Sequence, residues 1–388
     1  MQPGRRNRRE AERNGNQRVD AAGRDAIRRA NFTGKKLPES GEPCLFNPYQ
    51  INRVHTHAAH MKLLRLLAAS LALLTAVSTG GAQQTVLRVG HFPNITHAQA
   101  LIASQLSREG KGWFEPRLGG DVKIQWFPYN AGPSAMEAIA ANSIDMAYVG
   151  PNPALNLYAR SQGEEVRIIA GSANGGAALV VQADGRLSKP EDFRGKAIGT
   201  PQLGNTQDVA CRAWLKKQGY RVTQLGGDVK ILPTANPDQL QLFTAGRLDG
   251  VWTVEPWVSR LELEAKGRIF IEEKDAITTV LVSSVKLLAQ RRDLVAKFAA
   301  AHRELTEWVN QNPAEAKRLA NAALKAITKR EMPAELMERS WPRMTFTSAI
   351  DPSALAHFVA EAQSVGFLKG APDLSRLIEI PKEPSGKN

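Results

Sequence analysis

Hydrophobic and polar positions run through one order twice in this chain. The first unit opens on a β-rich run, Val86–Gly90, passes a loop, and enters a helical pattern from Thr96 to Gly110. The second opens on Lys196–Gly199 and, after its own loop, is helical in pattern from Thr206 to Gly219. The hexapeptide Gly-Gly-Asp-Val-Lys-Ile then stands in each, at Gly119–Ile124 and Gly226–Ile231. Another helical stretch follows, AGPSAMEAIAANS in one unit and ANPDQLQLFTAGR in the other. An Asp-led strand closes each, at Asp145–Pro151 and Asp249–Pro256. Both units therefore read strand–helix–strand–helix–strand, the order of parallel-sheet α/β layers. One repeat at a spacing of 107 residues is a duplication, not a solenoid.

The duplication predicts two α/β lobes, each a sheet flanked by helices. The first comprises residues 83–177 and 283–388, and the second residues 178–282. Two short β-branched segments, Ala177–Gln182 and Ile277–Ser283, are expected to form a two-strand hinge between them. Helices are expected near Lys286–Asn310, Pro313–Ile327, Pro333–Glu338 and Pro352–Gly366 as the chain returns to the first lobe. In open parallel sheets ligands bind beyond the carboxyl ends of the strands, so facing lobes predict a ligand buried between them. Closure about the hinge is the matching motion.

Charge changes this picture little. The formal net charge is +13, but residues 1–82 hold 14 Lys/Arg against 6 Asp/Glu. The remainder is only about +5, too mild for a nucleic-acid partner. From Met61 the chain reads as a secretory signal: basic Lys62 and Arg65, the apolar run Leu66–Val77, and small residues Gly80-Gly81-Ala82 before a mature start near Gln83. That run is too short for a span of ~20 residues. Residues 1–60 read as a disordered or mis-annotated extension, with Met61 as the true start. Cys44 precedes the signal and Cys211 stands alone after it, so a mature chain has no internal disulfide, and no lipid-anchoring Cys follows the apolar run. A soluble periplasmic protein is the expectation.

Four segments carry a resemblance: LRVGHFPNITHAQAL, IDMAYVGPNPAL, GTPQLGNTQD and VWTVEPW. Across roughly residues 85–380 the chain resembles type II periplasmic binding proteins of ABC importers, in the branch that takes up aliphatic sulfonates, taurine and nitrate. The resemblance implies the two-lobed type II fold. It implies a monomer that binds a small organic anion, an aliphatic sulfonate first, and hands it to an inner-membrane ABC permease with its ATPase. Nitrate- or taurine-type binding is the alternative. An enzyme of the thiamine-pyrimidine-synthase kind is a distant second class; it uses a cysteine-rich segment, and Cys211 here sits in an apolar helical pattern. No catalytic residue, cofactor or metal is expected, since His91 and His97 fit no zinc spacing. A sensor presenting its ligand to a membrane receptor shares every one of these features.

Candidate ligand contacts lie on loops at strand ends. In loop one, Thr96 is placed to cap the following helix, with Asn94 and His97 beside it. In loop two, Gly150 and Pro151 permit close backbone approach, and Asn152 reads as an N-cap with Pro153 at the first helical position. The resemblance places this loop in the cleft. Loop three offers Ser172 and Asn174. Loop four, with Gly204, Asn205, Thr206 and Gln207, is the counterpart of loop one; it is no Walker loop, because no Lys-Ser/Thr follows the glycine. Each could equally be an ordinary turn or cap. At the last strand end stand Trp252 and Glu255. A carboxylate ~4 Å from a sulfonate would repel it by several kcal/mol at an effective dielectric of ~20, so Glu255 is expected to meet a ligand hydroxyl or cation, or a protein cation such as Arg260. Trp252 and Trp257 could flank an apolar tail or belong to the core.

Overall fold

The computed structural model describes residues 84–224 and 226–382, and the expected extension and secretory signal lie outside them. Eleven strands among these residues form two sheets. The first contains β1 (Thr85–His91), β2 (Val122–Pro128), β3 (Met146–Val149), β4 (Val166–Gly175), β10 (Ile277–Ser284) and β11 (Met344–Phe346), in the order β11-β4-β10-β3-β1-β2. The second contains β5 (Ala177–Val181), β6 (Ala197–Thr200), β7 (Lys230–Pro233), β8 (Gly250–Val254) and β9 (Arg268–Glu273), in the order β7-β6-β8-β5-β9.

The duplicated pattern becomes duplicated topology. In each unit the opening strand lies in the middle, paired parallel with the hexapeptide strand on one side and the Asp-led strand on the other. The leading aspartates explain their own recurrence. Asp145 Oδ2 accepts from the backbone N–H of Arg88 at 2.9 Å, and Asp249 Oδ2 accepts from that of Ala197 at 2.9 Å. Each aspartate fills the same unpaired donor of its central strand, one residue before pairing with the Asp-led strand begins.

Helices cover both faces of both sheets, so each sheet separates two apolar clusters. On the first sheet, one cluster joins Leu87 and Val89 to Leu101, Phe298 and Leu319, and the other joins Val149 and Ile168 to Met136, Leu155 and Phe358. On the second, Leu179 and Ile198 pack with Cys211 and Leu215, and Val180 and Val251 with Phe243 and Leu261. Among the described residues no helix is long and apolar enough to cross a membrane.

The chain passes between the sheets at Gly175–Gly176 and again at residues 274–276. The passages lie side by side, Gly175 N–H donating to Ala276 O at 2.8 Å. The segments expected to be hinges are strands inside the sheets: β5 between β8 and β9, and β10 between β3 and β4. The first crossing falls instead on the glycine pair, with φ of +74° and +72°. A Cβ on Gly175 would lie 2.5 Å from Lys274 O and 2.6 Å from Arg343 O, so only glycine fits.

The C-terminal helices also differ in detail. The expected helix 286–310 is two, Val285–Gln290 and Arg292–Gln311, broken at Arg291 with φ −140° and ψ 53°. Helix Pro352–Ser364 packs on helix Pro151–Arg160 of the first sheet and on helix Thr206–Lys217 of the second, joining the two halves.

Candidate functional site

Five chain turns aim their starts at one point between the sheets. They open the 3-10 turn Ile95–His97 and the helices Gly132–Ala140, Pro151–Arg160, Thr206–Lys217 and Asn236–Thr244, each following a strand. The cleft they enclose is tight, with about 20 Å3 free, room for one water molecule. Asn94, Thr96, His97 and Gly150 line it from the first half, and Asn205, Thr206 and Gln207 from the second. Loops one and four, matched by the repeat, thus face one cavity. No charged side chain lines it.

The chemistry of such a place follows from its donors. Unpaired N–H groups at helix starts carry partial positive charge, each worth roughly 0.3–1 kcal/mol toward an anion. Hydroxyls and amides add neutral donors without buried arginine. Thr206 Oγ1 already reaches across the halves, accepting from Asn152 N–H at 3.4 Å. His97 is neutral: burial holds its pKa well below the usual imidazole value, and its Nδ1 is the acceptor for Phe92 N–H at 3.4 Å. Affinity for an anion is therefore expected to stay constant from about pH 7.5 to about pH 5.5. A tenfold gain in calorimetric affinity on acidification would mean an imidazolium holds the ligand instead.

Several predicted contacts depart from expectation, each for a visible reason. Thr96 makes no cap bond; it belongs to the 3-10 turn. Helix Pro151–Arg160 begins two residues earlier than expected, with Gly150 at the N-cap and Pro151 at the first helical position. Asn152 consequently turns its side chain toward Phe358 O and offers the cleft side only its N–H. Ser172 is fully buried behind the cleft, its Oγ donating to Gln99 Oε1 at 2.9 Å. Asn174 is held in β4, opposite Ile277 and Thr345. Gly204 spends its N–H on Asp208 Oδ2 at 2.9 Å, because that buried carboxylate also collects Thr200 and Arg212.

Trp252 and Glu255 are corrected most plainly. Trp252 packs in the second-sheet core beside Trp214, its Nε1 donating to Glu273. Glu255 is fully buried and meets a protein cation, but not Arg260, which pairs with Glu264. Its partner is Arg343 at 2.9 Å, with Ser259 N–H and Oγ–H also donating to it. Burial outweighs these bonds and raises the Glu255 pKa above the usual carboxylate value.

Sequence reasoning missed Asn130, Asn236 and Thr278, which also line the cleft. The repeat held the signal for two of them. Asn130 and Asn236 both lie where a hexapeptide strand passes to its helix, a junction present in both units.

A second cavity of about 420 Å3 adjoins the first, and Asn94, Asn130 and Asn236 line both. Trp257 stands in its wall, and its indole N–H donates to Asn94 Oδ1 at 3.0 Å, tying the halves together. Indole is a donor only, so this bond fixes the Asn94 amide with its NH2 turned away from Trp257.

Residues 80–324, more than half of the chain, match the NMT1-like family. The chain belongs to the NMT1-like family. This NMT1-like protein is 28% identical over 143 residues to the taurine-binding periplasmic protein of Escherichia coli K12, covering 37% of this chain and 42% of that one. Its fold is that of solved periplasmic binding proteins. The alkanesulfonate-binding protein SsuA of Xanthomonas axonopodis pv. citri, bound to MOPS, superposes with a TM-score of 0.60 at 20% identity, over 73% of this chain and 93% of that one. The nitrate-binding protein NrtA of Synechocystis PCC 6803 gives a TM-score of 0.58 at 14% identity, over 74% and 83%.

Proposed function

We propose that this NMT1-like protein is the periplasmic substrate-binding component of an ABC importer and that it captures a small organic anion, an aliphatic sulfonate. The carrying observation is the convergence of five element starts from both halves on a cleft free of charged side chains. In this reading residues 83–177 and 283–388 form one lobe and residues 178–282 the other, and they close on the ligand about Gly175–Gly176. Asn94, Thr96, His97, Gly150, Asn205, Thr206 and Gln207 are the contacts from the predicted set, joined by Asn130, Asn236 and Thr278.

Binding without chemistry is favoured over an enzyme of this fold. Cys211, the lone thiol of the described residues, is buried in the second-sheet core, and burial drives its pKa far above the usual thiol value. A thiol so placed is a packing group, not a nucleophile. Export through the signal at residues 61–82 and delivery to a membrane permease with its ATPase complete the reading.

The test is titration calorimetry of the purified mature protein with methanesulfonate, longer alkanesulfonates, taurine and nitrate. Stoichiometric, reversible binding of at least one sulfonate is the expected result. No heat from any of them, or turnover of any, would remove the proposal.

A further inference from the structure

The 420 Å3 cavity has no role in holding a bare anion. It lies beyond the asparagines that line the cleft, and the rest of its wall is largely apolar: Trp257 and Pro237 from the second half, Leu324, Met332 and Leu336 from the first. Its volume is that of a cavity holding an organic group of many atoms. Three charged residues stand in its wall: Arg330 is exposed to solvent, and the other two have partners outside the wall. Arg260 pairs with Glu264 and lies over the Trp257 ring at 4.9 Å, and Glu331 pairs with Lys325 at 2.7 Å. Glu255, next to Pro256 of this wall, is paired with Arg343. No carboxylate is therefore left to receive an ammonium group, in the cleft or beside it.

We infer that the ligand carries its compact anionic head in the cleft and a bulky, uncharged apolar tail in the adjoining cavity, as an arylsulfonate or medium-chain alkanesulfonate does and as nitrate and taurine do not. This inference rests on the proposed anion-binding reading and narrows it. Asn94 stands at the junction. Its Oδ1 is taken by Trp257, so its NH2 remains as a donor for the head, while the Trp257 ring faces the tail. Head and tail are thus read by adjacent groups joined to one another, and both draw on residues of the two halves.

The test compares methanesulfonate, taurine and nitrate with hexanesulfonate and naphthalenesulfonate by calorimetry. It uses the wild-type mature protein and two variants that narrow the cavity from exposed positions on opposite walls, Gln241→Trp and Thr328→Trp. In the wild type, tailed sulfonates are expected to bind at least about tenfold more tightly than methanesulfonate. In either variant that preference falls to within about threefold, while methanesulfonate binds as before. Equal binding of tailed and tail-less anions, or tightest binding of taurine or nitrate, overturns the tail inference and leaves the anion reading standing. A preference that both variants leave intact overturns the placement of the tail. Absence of binding by every anion removes the anion reading itself and this inference with it.

Discussion

Replacing Gly150 by alanine is expected to weaken ligand binding about 30-fold while leaving the fold intact. The new Cβ would lie 2.3 Å from Thr206 Oγ1 and 3.2 Å from Thr206 Cβ, and Thr206 belongs to the opposite half. Threonine is β-branched and stiff at χ1, so it has little freedom to retreat. Overpacking of this kind costs roughly 2 kcal/mol, and here the cost falls on the closed arrangement alone. The backbone of Gly150 has φ −69° and ψ 156°, which alanine adopts without strain, so an arrangement with the halves apart is unaffected. Calorimetry measures the affinity, and thermal melting without ligand checks the fold. Adding Thr206→Gly should restore most of the lost affinity in the double variant, apart from what the Thr206 hydroxyl itself contributes. Alanine at 150 with wild-type affinity would show that the cleft does not close on Thr206 at all.

The second large effect belongs to Arg343. This residue reaches Glu255 at 2.9 Å, Glu262 at 2.7 Å and Glu272 at 3.6 Å, all from the second half, while Arg339 joins Glu262 at 3.1 Å. Replacing Arg343 by methionine leaves Glu255 as a fully buried carboxylate without its cation. The expected loss is about 3 kcal/mol at pH 7, a fall in melting temperature of some 6–12 °C for a domain of this size. The pH dependence has a definite sign. Glu255 already holds its proton to a higher pH when folded than when unfolded. Its contribution is full below the unfolded pKa of about 4.3 and is lost as pH rises through the folded value. Removing Arg343 deletes the chief group opposing that shift and raises the folded value further. The deficit of the variant should therefore shrink as the pH is lowered from 7 toward about 5. Urea unfolding at the two pH values measures it, and a deficit that grows on acidification would contradict the account.

Much of the fold was legible because the duplication is local chemistry written twice. The hexapeptide marks an edge strand in each sheet, and Asp145 and Asp249 lead strands because each meets the same unpaired N–H. Loops one and four could be matched through the same repeat, and Thr96 and Thr206 do face one cavity. Tertiary partners were not legible. Arg343 stands 88 residues from Glu255, and no local pattern prefers it over Arg260, five residues away. Trp252 and Trp257 look alike in sequence, yet one lies within β8 against the core and the other at a helix start on a cavity. The β-branched pattern places the first hinge at Ala177–Gln182 and not at the glycine pair, since nothing local reveals that Lys274 and Arg343 carbonyls crowd Gly175.

The position of β10 has a consequence for how the protein is made. That strand lies between β3 and β4, whose partners at Val149 and Val280 are separated by some 130 residues of chain. When β4 leaves the ribosome its neighbour in the sheet does not yet exist, and the whole second sheet must be synthesised first. Pairings this distant are slow to form, because the intervening chain must be ordered before they return any stability. In this topology the first sheet cannot be completed until β10 has been made, although the second sheet, contiguous in sequence, can pair before it.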